Sequence, residues 1–598
     1  MEILNLEKNT VDMRLIFFIF LSFLNASFVF GQTTYYLSPV GNDNSLFPNN
    51  INTPWKSFKK ACDNAQPGDL IYFRGNAGVY SEKNINCSCN GSTTSPIVFK
   101  AYNNEIPIFN GGGVTPEGSY FLSINGSSNV RLEGLRFENM INKKGFALKI
   151  TGESTNIVLS QLSLENLFFS PIANDTPNVF SDTFNPLVVF GNSLNSPITG
   201  IEISNCEIKN CRTGQSEAIS VVGNVQNYSI VGNHINNTGN IGIVAVGYYN
   251  WGIPNLENFQ TSNGLIKGNL VEYCKSKKAL AAGIYIDGAR DVIVEGNTCR
   301  YGQRGFAVNC ENHLSVNGAA AIGNIIRNNQ AYGNSRGGFS IGACKGQAWC
   351  TNGNVINTTL INNTSVNNWD PIVFEPGETS VHQDFGELTL DKSENTNIRN
   401  NIFFSSIDSR YKLLGSYQLQ IPFVSNLSSD WNIWFNSFTP LSVFQLNNDF
   451  KNGLGLFKQD FNQDPNSVDS NPNFKNVLNN DYQLNNLQSV GIGLSDPSIT
   501  FVELAGAKDF NNRDRLVNQK IDAGAFEYGC VSNDLNLNAP LQYSNQTFQT
   551  KGTINLQNSI LAPNRLILNS EKAIILEPTS NLTLGSNVLI EVRVCPDN

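Results

Sequence analysis

Two short segments carry side chains that can perform acid–base chemistry. The segment GIYIDGARD contains Asp287 and Asp291, and GFAVNCENH, which starts 22 residues later, contains Glu311 and His313. A protonated carboxyl group next to a carboxylate can cleave a glycosidic bond, because the acid protonates the leaving oxygen while the carboxylate activates water or attacks carbon. We therefore take Asp287 and Glu311 as the candidate catalytic pair, with His313 as a residue that orients either of them.

Other residues in the same part of the chain can contact a polysaccharide. Glu387, in FGELTL, is a third catalytic candidate. Aromatic rings in the inserted segments GYYNWG and CKGQAWC can stack on the apolar faces of sugar rings. The candidate residues for substrate binding are Tyr249, Trp251, Arg290, Arg304, Lys345 and Trp349.

These residues need a scaffold that places separate segments side by side, and the sequence contains a repeat that provides one. Between about residues 120 and 430 the chain cycles through short β-branched runs, Asn and Gly, as in IEISNCEIKN, LIKGNLVEY and NIRNNIFFSS. A repeat of ~20 to 50 residues predicts a solenoid, and the period-two alternation within each unit predicts strands. The fold class is therefore predicted to be all-β, a parallel β-helix.

An Asn recurs at one place in each repeat. Asn suits a recurring turn because it tolerates left-handed backbone angles and can hydrogen-bond the Asn of the next coil. The repeats predict a ladder formed by Asn205, Asn233, Asn269, Asn297, Asn329, Asn363 and Asn401.

The repeat also fixes how the two acidic segments align. Matching GIYID with GFAVN places Asp287 beside Asn309 on neighbouring strands, with both side chains on the outer face. Glu311 follows two residues later. One strand spacing of ~4.8 Å and two residues of ~3.3 Å each predict about 8 Å between Asp287 and Glu311 if the strand continues. Carboxyl groups about 6.5 to 9.5 Å apart suit an inverting hydrolase, and pairs about 5 to 5.5 Å apart suit a retaining one.

The N-terminus and the cysteines predict export. Arg14 precedes the apolar run LIFFIFLSFL and Gly31 stands before QTTYYLS, which is the pattern of a signal peptide over residues 1–31. The apolar run is too short for a stable membrane span. The 12 cysteines fit an oxidising compartment. The cysteines that lie near one another in sequence are Cys62, Cys87 and Cys89, then Cys206 and Cys211, then Cys344 and Cys350.

The net charge and the composition limit the classes of binding partner that we expect. The formal net charge is -9 and no run of Lys or Arg occurs, so we expect no nucleic-acid partner. With 3 histidines and no paired CxxC, the sequence gives no support to a zinc site. We expect a secreted or cell-surface monomer that binds a polysaccharide or oligosaccharide.

Three N-terminal segments resemble a known superfamily. TTYYLSPVGNDNS and GDLIYFRGNAGVYSE flank TPWKSFKKACDNAQPGD, which predicts an amphipathic helix within residues 53–69. Its predicted apolar face consists of Trp55, Phe58, Ala61, Cys62 and Ala65. Together these segments resemble the capped start of secreted right-handed parallel β-helix proteins of the pectate-lyase-like superfamily.

The resemblance is loose over residues 33–528 and closer over residues 280–405, where GIYIDGARD, CENH and the GEL segment occur. It implies a right-handed β-helix domain over residues 32–529 that closes at IDAGAFEYGC. A small C-terminal β-repeat module would follow over residues 530–598.

Three functions remain open from the sequence, since this superfamily includes hydrolases, lyases and non-catalytic proteins. A glycoside hydrolase would use the carboxylate pair and need no cofactor. A polysaccharide lyase would hold Ca²⁺ on carboxylates and use a cationic base. Its candidate ligands are Asp287, Asp291, Glu311 and Glu387, and its candidate bases are Arg290, Arg304 and Lys345. The third possibility is a carbohydrate-binding or adhesive β-helix without catalysis.

Overall fold

Three long β-sheets, wound by successive turns of the chain, make up most of the molecule. The computed structural model describes residues 33–279, 281–343, 345–347, 350–368, 386–406, 412–415, 424–437, 443–447, 449–485, 489–528, 535–537, 545–556, 565–570, 572–576 and 587–592. Neighbouring strands within these sheets come from successive turns and pair in parallel, except that the last strand of the third sheet, Asp449–Asn452, pairs antiparallel with Val443–Leu446. The molecule is a parallel β-helix, which confirms the fold class predicted from the repeat.

The strands of each sheet follow in chain order. The first sheet contains Thr34–Leu37, Leu70–Phe73, Ile97–Ala101, Ser128–Glu133, Thr155–Ser160, Ile198–Ser204, Val225–Val231, Ser262–Lys267, Ile293–Glu295, Ile325–Arg327, Thr359–Ile361, Asn397–Arg399 and Ser428–Asp430. The second sheet contains Ile108–Val114, Arg136–Ile141, Ser163–Phe168, Glu207–Cys211, His234–Thr238, Leu270–Glu272, Thr298–Arg300, Gln330–Tyr332, Thr364–Val366, Ile402–Ser405 and Ile433–Asn436. The third sheet contains Ile85–Cys87, Tyr120–Asn125, Gly145–Thr151, Phe184–Gly191, Ile219–Gly223, Ile243–Val246, Ala282–Asp287, Arg304–Asn309, Gly337–Ile341, Gly386–Leu390, Lys412–Gly415, Val443–Leu446 and Asp449–Asn452.

Shorter elements border the coil. Small sheets are formed by Ala320–Ile322 with Asn354–Ile356, Ser393–Glu394 and Val424–Ser425, by Lys345–Gln347 with Cys350–Asn352, and by Phe474–Asn476 with Asp481–Leu484. The helices are Phe58–Asn64, Leu454–Phe461 and Ile499–Leu504, with 3-10 turns at Leu256–Asn258 and Val477–Asn479. Within the described ranges, no helix is long and apolar enough to cross a membrane.

Beyond the coil, the described C-terminal strands form two small parallel sheets. One contains Leu535–Leu537, Thr553–Leu556 and Ala573–Leu576, and the other contains Asn545–Thr550, Arg565–Ser570 and Asn587–Val592. Parallel three-stranded stacks are what a short β-repeat produces. The predicted boundary at residue 530 lies outside the described residues.

The N-terminal helix, Phe58–Asn64, is shorter than the sequence pattern predicted. Its apolar face is buried as expected, with Phe58, Ala61 and Cys62 in the core. The helix begins after Ser57, whose hydroxyl accepts a hydrogen bond from the Lys60 N–H at 3.2 Å and so caps the first turn. Residues 56 and 57 stay extended because both N–H groups are bound by the Asp43 carboxylate. The helix therefore closes the first coils with its buried face alone.

A disulfide between Cys62 and Cys87 joins this helix to the third sheet across a sequence separation of 25 residues. Replacing both cysteines with Ser is expected to lower the free energy of unfolding by about 3 kcal/mol, because the open chain gains loop entropy. Urea unfolding of the double variant and of the oxidised wild type measures this difference. Wild type treated with dithiothreitol should unfold like the variant, and an unchanged midpoint in both would contradict a stabilising role.

Most of the predicted Asn ladder is present inside the coil. Each side-chain N–H donates to the side-chain oxygen of the next Asn at 2.9 to 3.1 Å. The ladder consists of Asn233, Asn269, Asn297, Asn329, Asn363, Asn401 and Asn432, all buried. Because each buried amide is satisfied by its neighbours, the ladder fixes the register of successive turns.

Asn205 was wrongly assigned to this ladder. Its φ of 54° puts it in the left-handed turn one residue earlier, the place that Asn328, Asn362 and Asn400 occupy in later turns. Cys206 fills the ladder position, and its backbone N–H donates to the side-chain oxygen of Asn233 at 2.9 Å. In each turn, one residue takes the left-handed conformation and the next residue forms the ladder. The prediction from the repeats had assigned both roles to a single Asn.

The predicted closing phrase packs against the coil. The Asn362 side chain donates to the Asp522 carbonyl at 2.7 Å, and the Ala525 N–H donates to the Thr364 hydroxyl at 2.9 Å. Arg515 is fully buried beneath this segment and pairs with Glu527 at 3.2 Å. Residues 489–528 therefore cover several turns from outside.

Candidate active site

A cleft of about 1600 Å³ lies over the outer face of the third sheet. Its floor is built from outward side chains at one register position on successive strands: Val188, Ser220, Val244 and Tyr285. Segments that leave the coil, near residues 176–183, 249–251 and 276–279, line its walls. The regular spacing of the strands thus sets the positions of the floor residues.

Asp287 and Glu311 meet in this cleft. Asp287 ends the strand Ala282–Asp287 and pairs with Asn309, which confirms the predicted register. The next strand ends at Asn309, so the chain turns instead of continuing as the separation of about 8 Å had assumed. After the turn, the backbone N–H of Glu311 donates to Asp287 Oδ1 at 2.7 Å. Glu311 is therefore held directly against Asp287.

Two tyrosines bind the Glu311 carboxylate. The Tyr249 hydroxyl donates to Oε2 at 2.7 Å, and the Tyr285 hydroxyl donates to Oε1 at 2.9 Å. Asn309 in turn donates to the Tyr285 hydroxyl at 2.8 Å, which fixes the direction of its proton toward Glu311. Both oxygens of Glu311 thus receive a hydrogen bond.

The two carboxyl groups have different electrostatic environments. Burial, followed by the negative charge of Glu311, raises the pKa of Asp287 well above its ordinary value. Burial also raises the pKa of Glu311, but the hydroxyl groups of Tyr249 and Tyr285 and then the charge of Arg304 act in the opposite direction. Because hydrogen bonds to a carboxylate favour its ionised form, a proton shared by the pair resides on Asp287.

Three more predicted residues line the same cleft. Trp251 is 42% exposed and stacks on Tyr249 with ring centroids 5.4 Å apart. His313 stacks on the other side of Tyr249 at 6.1 Å, in an exposed position. Arg304 lies at the start of the strand that follows Asp287. The structure therefore assembles Asp287, Glu311, His313, Tyr249, Trp251 and Arg304.

Glu387 does not face the cleft, contrary to the prediction. It is the second residue of the strand Gly386–Leu390, and its side chain is fully buried inside the coil. Its carboxyl group accepts hydrogen bonds from the Ser365 hydroxyl at 2.6 Å and the Asn368 side chain at 2.7 Å. Burial raises the pKa of Glu387 to about 8. Glu387 is thus an internal hydrogen-bonding residue and is removed from the catalytic candidates.

Arg290 and Asp291 also lie away from the cleft lining. Asp291 takes a left-handed backbone conformation with φ 54° in the turn after Asp287. Arg290 and Asp291 are about half exposed and form a long ion pair of 3.9 Å with each other. The prediction that Arg290 binds substrate beside Asp287 is therefore wrong for this cleft. Trp349 and the side chain of Lys345 lie outside the described residues.

The sequence analysis missed Glu217. This residue immediately precedes the strand Ile219–Gly223 and lines the cleft, where its carboxyl group accepts a hydrogen bond from the Ser220 hydroxyl at 2.8 Å. Burial raises the pKa of Glu217 to about 7. The alignment that identified Asp287 could have found it, because SEAISVVG is an earlier unit of the same repeat.

Metal-ligating side chains are not concentrated here. Over the described ranges, no group of three or more His, Cys, Asp or Glu side chains is arranged to hold a metal ion. Of the carboxylates proposed as calcium ligands, the structure brings only Asp287 and Glu311 together in the cleft.

The chain has partial similarity to several known proteins. No family model matches the chain. It is 22% identical over 324 residues to the uncharacterized protein YwoF of Bacillus subtilis, covering 51% of this chain and 64% of that protein. A stretch of 77 residues is 36% identical to the pectate lyase PEL9 of Emericella nidulans, covering 13% of this chain and 18% of the lyase. The chain thus matches less than two thirds of the length of these relatives.

Several solved structures share the general architecture. The GH136 lacto-N-biosidase of Eubacterium ramulus gives a TM-score of 0.44 at 14% identity, covering 66% of each chain. A rhamnogalacturonan lyase gives 0.43 at 16% identity, covering 68% of this chain and 88% of its own. The pectate lyase Pel9A gives 0.37 at 16% identity, covering 83% and 96%. With three parallel sheets wound by successive turns, the protein is a parallel β-helix.

Proposed function

We propose that this protein is a secreted enzyme that hydrolyses glycosidic bonds of an extracellular polysaccharide. The observation that carries this proposal is the contact between Asp287 and Glu311, from successive turns, within one cleft. Asp287 holds a proton and acts as the general acid toward the leaving oxygen. Glu311 stays ionised and either activates water or attacks the anomeric carbon.

The walls of the cleft fit a sugar chain. Trp251 presents an exposed indole ring beside the carboxyl pair, and its stacking on Tyr249 holds the ring in place. Aromatic faces of this kind bind the C–H faces of pyranose rings. His313, Tyr249 and Trp251 form a continuous stack, so the substrate would lie along an ordered aromatic wall.

A polysaccharide lyase is the second candidate. Two observations favour it: the 77-residue similarity to a pectate lyase, and Arg304, a cation in the cleft that could serve as the base or bind a uronate. In this alternative, Asp287 and Glu311 would hold Ca²⁺, which would neutralise the substrate carboxylate. The hydrolase ranks first because the raised pKa of Asp287 suits a proton donor, whereas a calcium ligand has to be ionised.

One assay separates these functions. Protein spanning residues 32–598 is incubated with a panel of neutral, acidic and amino-sugar polysaccharides, with Ca²⁺ or with a chelator. New reducing ends and the ultraviolet absorbance of unsaturated uronates are followed together. Reducing ends without absorbance support the hydrolase, and both signals, lost in chelator, support the lyase. Neither signal on any polymer would overturn both proposals and favour a binding protein.

Tyr249 is expected to set the pH range of activity. Tyr249→Phe removes a hydrogen-bond donor from Glu311 and a favourable contact with Asp287, so the pKa of each carboxyl group rises. Both limbs of the profile of kcat/KM against pH should therefore move to higher pH, by about one unit.

The neighbouring Tyr248→Phe is the matched control, because the Tyr248 hydroxyl bonds to Gln260 at 3.2 Å and not to the carboxyl pair. Its profile should stay in place. A Tyr249→Phe profile that falls in height without moving along the pH axis would show that the hydroxyl has no influence on the pair.

A further inference from the structure

The floor of the cleft is apolar next to the carboxyl pair. On the two turns before Asp287, the outward positions hold Val222, Val244 and Val246, each with 8% exposure or less. Outward positions of a sheet that faces solvent usually carry polar residues. Three valines at such positions therefore form an unusual apolar patch at the base of the cleft. This patch, which we call the valine floor, consists of Val222, Val244 and Val246.

Glu217 and the carboxyl pair bracket the valine floor. Glu217 precedes the strand Ile219–Gly223, and Asp287 ends a strand two positions further along the sheet. The Glu217 carboxyl group contacts Ser220, so two strand spacings and two residues along the strands separate it from Asp287, roughly 12 Å, enough for one pyranose ring between the two groups. Glu217 also lies close enough to Glu311 and Asp287 for their charges to influence each other. The bracketed space is a subsite for the sugar adjacent to the scissile bond.

The composition of this subsite selects among sugars. A uronate in this subsite would place its carboxylate near Glu217 and Glu311, which repel it, whereas Arg304 lies on the strand beyond that of Asp287. An unsubstituted hexose would set hydroxyl groups against the valine floor, where they lose water without gaining partners. A deoxy or O-methyl sugar supplies a methyl group but no N–H donor for Glu217. An N-acyl group supplies a methyl group for the valines and an amide N–H for the carboxylate.

We infer that this subsite takes an N-acylated amino sugar, with the acyl methyl on the valine floor and the amide N–H toward Glu217. The inference rests on the proposed function in one respect: the proposed hydrolysis is the reason for placing the sugar next to the carboxyl pair. Binding itself needs no turnover, so it can be tested separately from hydrolysis.

Equilibrium binding to three β-linked trisaccharides tests the inference: chitotriose, its deacetylated form and cellotriose. Wild type is expected to bind chitotriose at least about tenfold more tightly than either of the others, a ratio typical of a satisfied apolar and polar contact. Saturation-transfer NMR should give its strongest signal at the acetyl methyl protons. Equal affinity for the three probes, or binding of none, would overturn the inference.

Two isosteric variants locate the contact. Val244→Thr replaces a floor methyl with a hydroxyl and should lower chitotriose affinity about tenfold, with cellotriose affinity unchanged. Val158→Thr is the matched control, because Val158 is a half-buried outward residue of the first sheet that does not line the cleft. Equal losses in both variants would count against the assigned position. If chitotriose binds as described but no polymer is cleaved, the proposed hydrolysis fails while the subsite stands.

Discussion

Replacing Glu311 with Gln is expected to reduce turnover by about 10² to 10⁴-fold, the range that a catalytic acid or base contributes. Gln keeps the shape of the side chain: its carbonyl oxygen can accept from one tyrosine, and its NH2 group can donate to the hydroxyl oxygen of the other. It cannot activate water or attack carbon. The loss should appear in kcat, while binding of the uncleaved polymer changes little, as affinity electrophoresis in a polysaccharide gel can show.

Glu387→Gln is the matched control for this experiment. Both glutamates stand on or beside strands of the third sheet, and both were candidates from the sequence. The Glu387 carboxyl group lies inside the coil, where Oε1 accepts from the backbone N–H of Asn368 at 3.0 Å, so an amide there affects the stability of the coil and not the cleft. Glu387→Gln should keep near wild-type turnover. Similar losses in both variants would point to disturbed folding and remove the catalytic assignment of Glu311.

The second large effect concerns stability. Asn297→Ala is expected to lower the free energy of unfolding by about 3 to 5 kcal/mol, since buried groups left unsatisfied cost about 1 to 3 kcal/mol each. The Asn297 side chain accepts from the backbone and side-chain N–H groups of Asn269 at 2.9 Å. It donates to the Ile266 carbonyl at 2.9 Å and to the Asn329 side chain at 3.0 Å. Alanine leaves these partners without replacement.

Denaturant unfolding followed by circular dichroism measures this change. Asn52→Ala, at an exposed position in an N-terminal loop, provides a control that should shift the free energy of unfolding by less than about 0.5 kcal/mol. A ladder variant that unfolds at the same denaturant concentration as the control would show that the amide row contributes little to stability.

The sequence was sufficient to place Asp287 beside Asn309. That pairing depends only on two similar units lying one turn apart, and similar units of a solenoid stack in register. The sequence was not sufficient for the contact between Glu311 and Asp287. That contact depends on a turn after Asn309, where the alternation of a strand no longer applies.

Glu387 and Glu217 show that the sequence repeat does not predict the orientation of side chains at the ends of strands. Glu387 was a catalytic candidate from the sequence, but it stands at the start of its strand with its side chain buried inside the coil. Glu217 stands in the same kind of position before its strand and lines the cleft. Residues at strand ends take their orientation from the bend between sheets, which the repeat pattern does not encode.

The Asn row also gives the coil an electrical asymmetry along its axis. Every carboxamide from Asn233 to Asn432 presents its N–H end toward the C-terminal side, so the dipoles of the side chains add. At the positive end, Asn432 donates to the Asp464 carboxylate at 3.0 Å. An anion is tolerated there because it terminates the series. An Asp at an interior position of the ladder would have no N–H to donate to the side-chain oxygen of the following Asn. An acidic side chain is therefore compatible only with the last position of the row, where no further donor is needed.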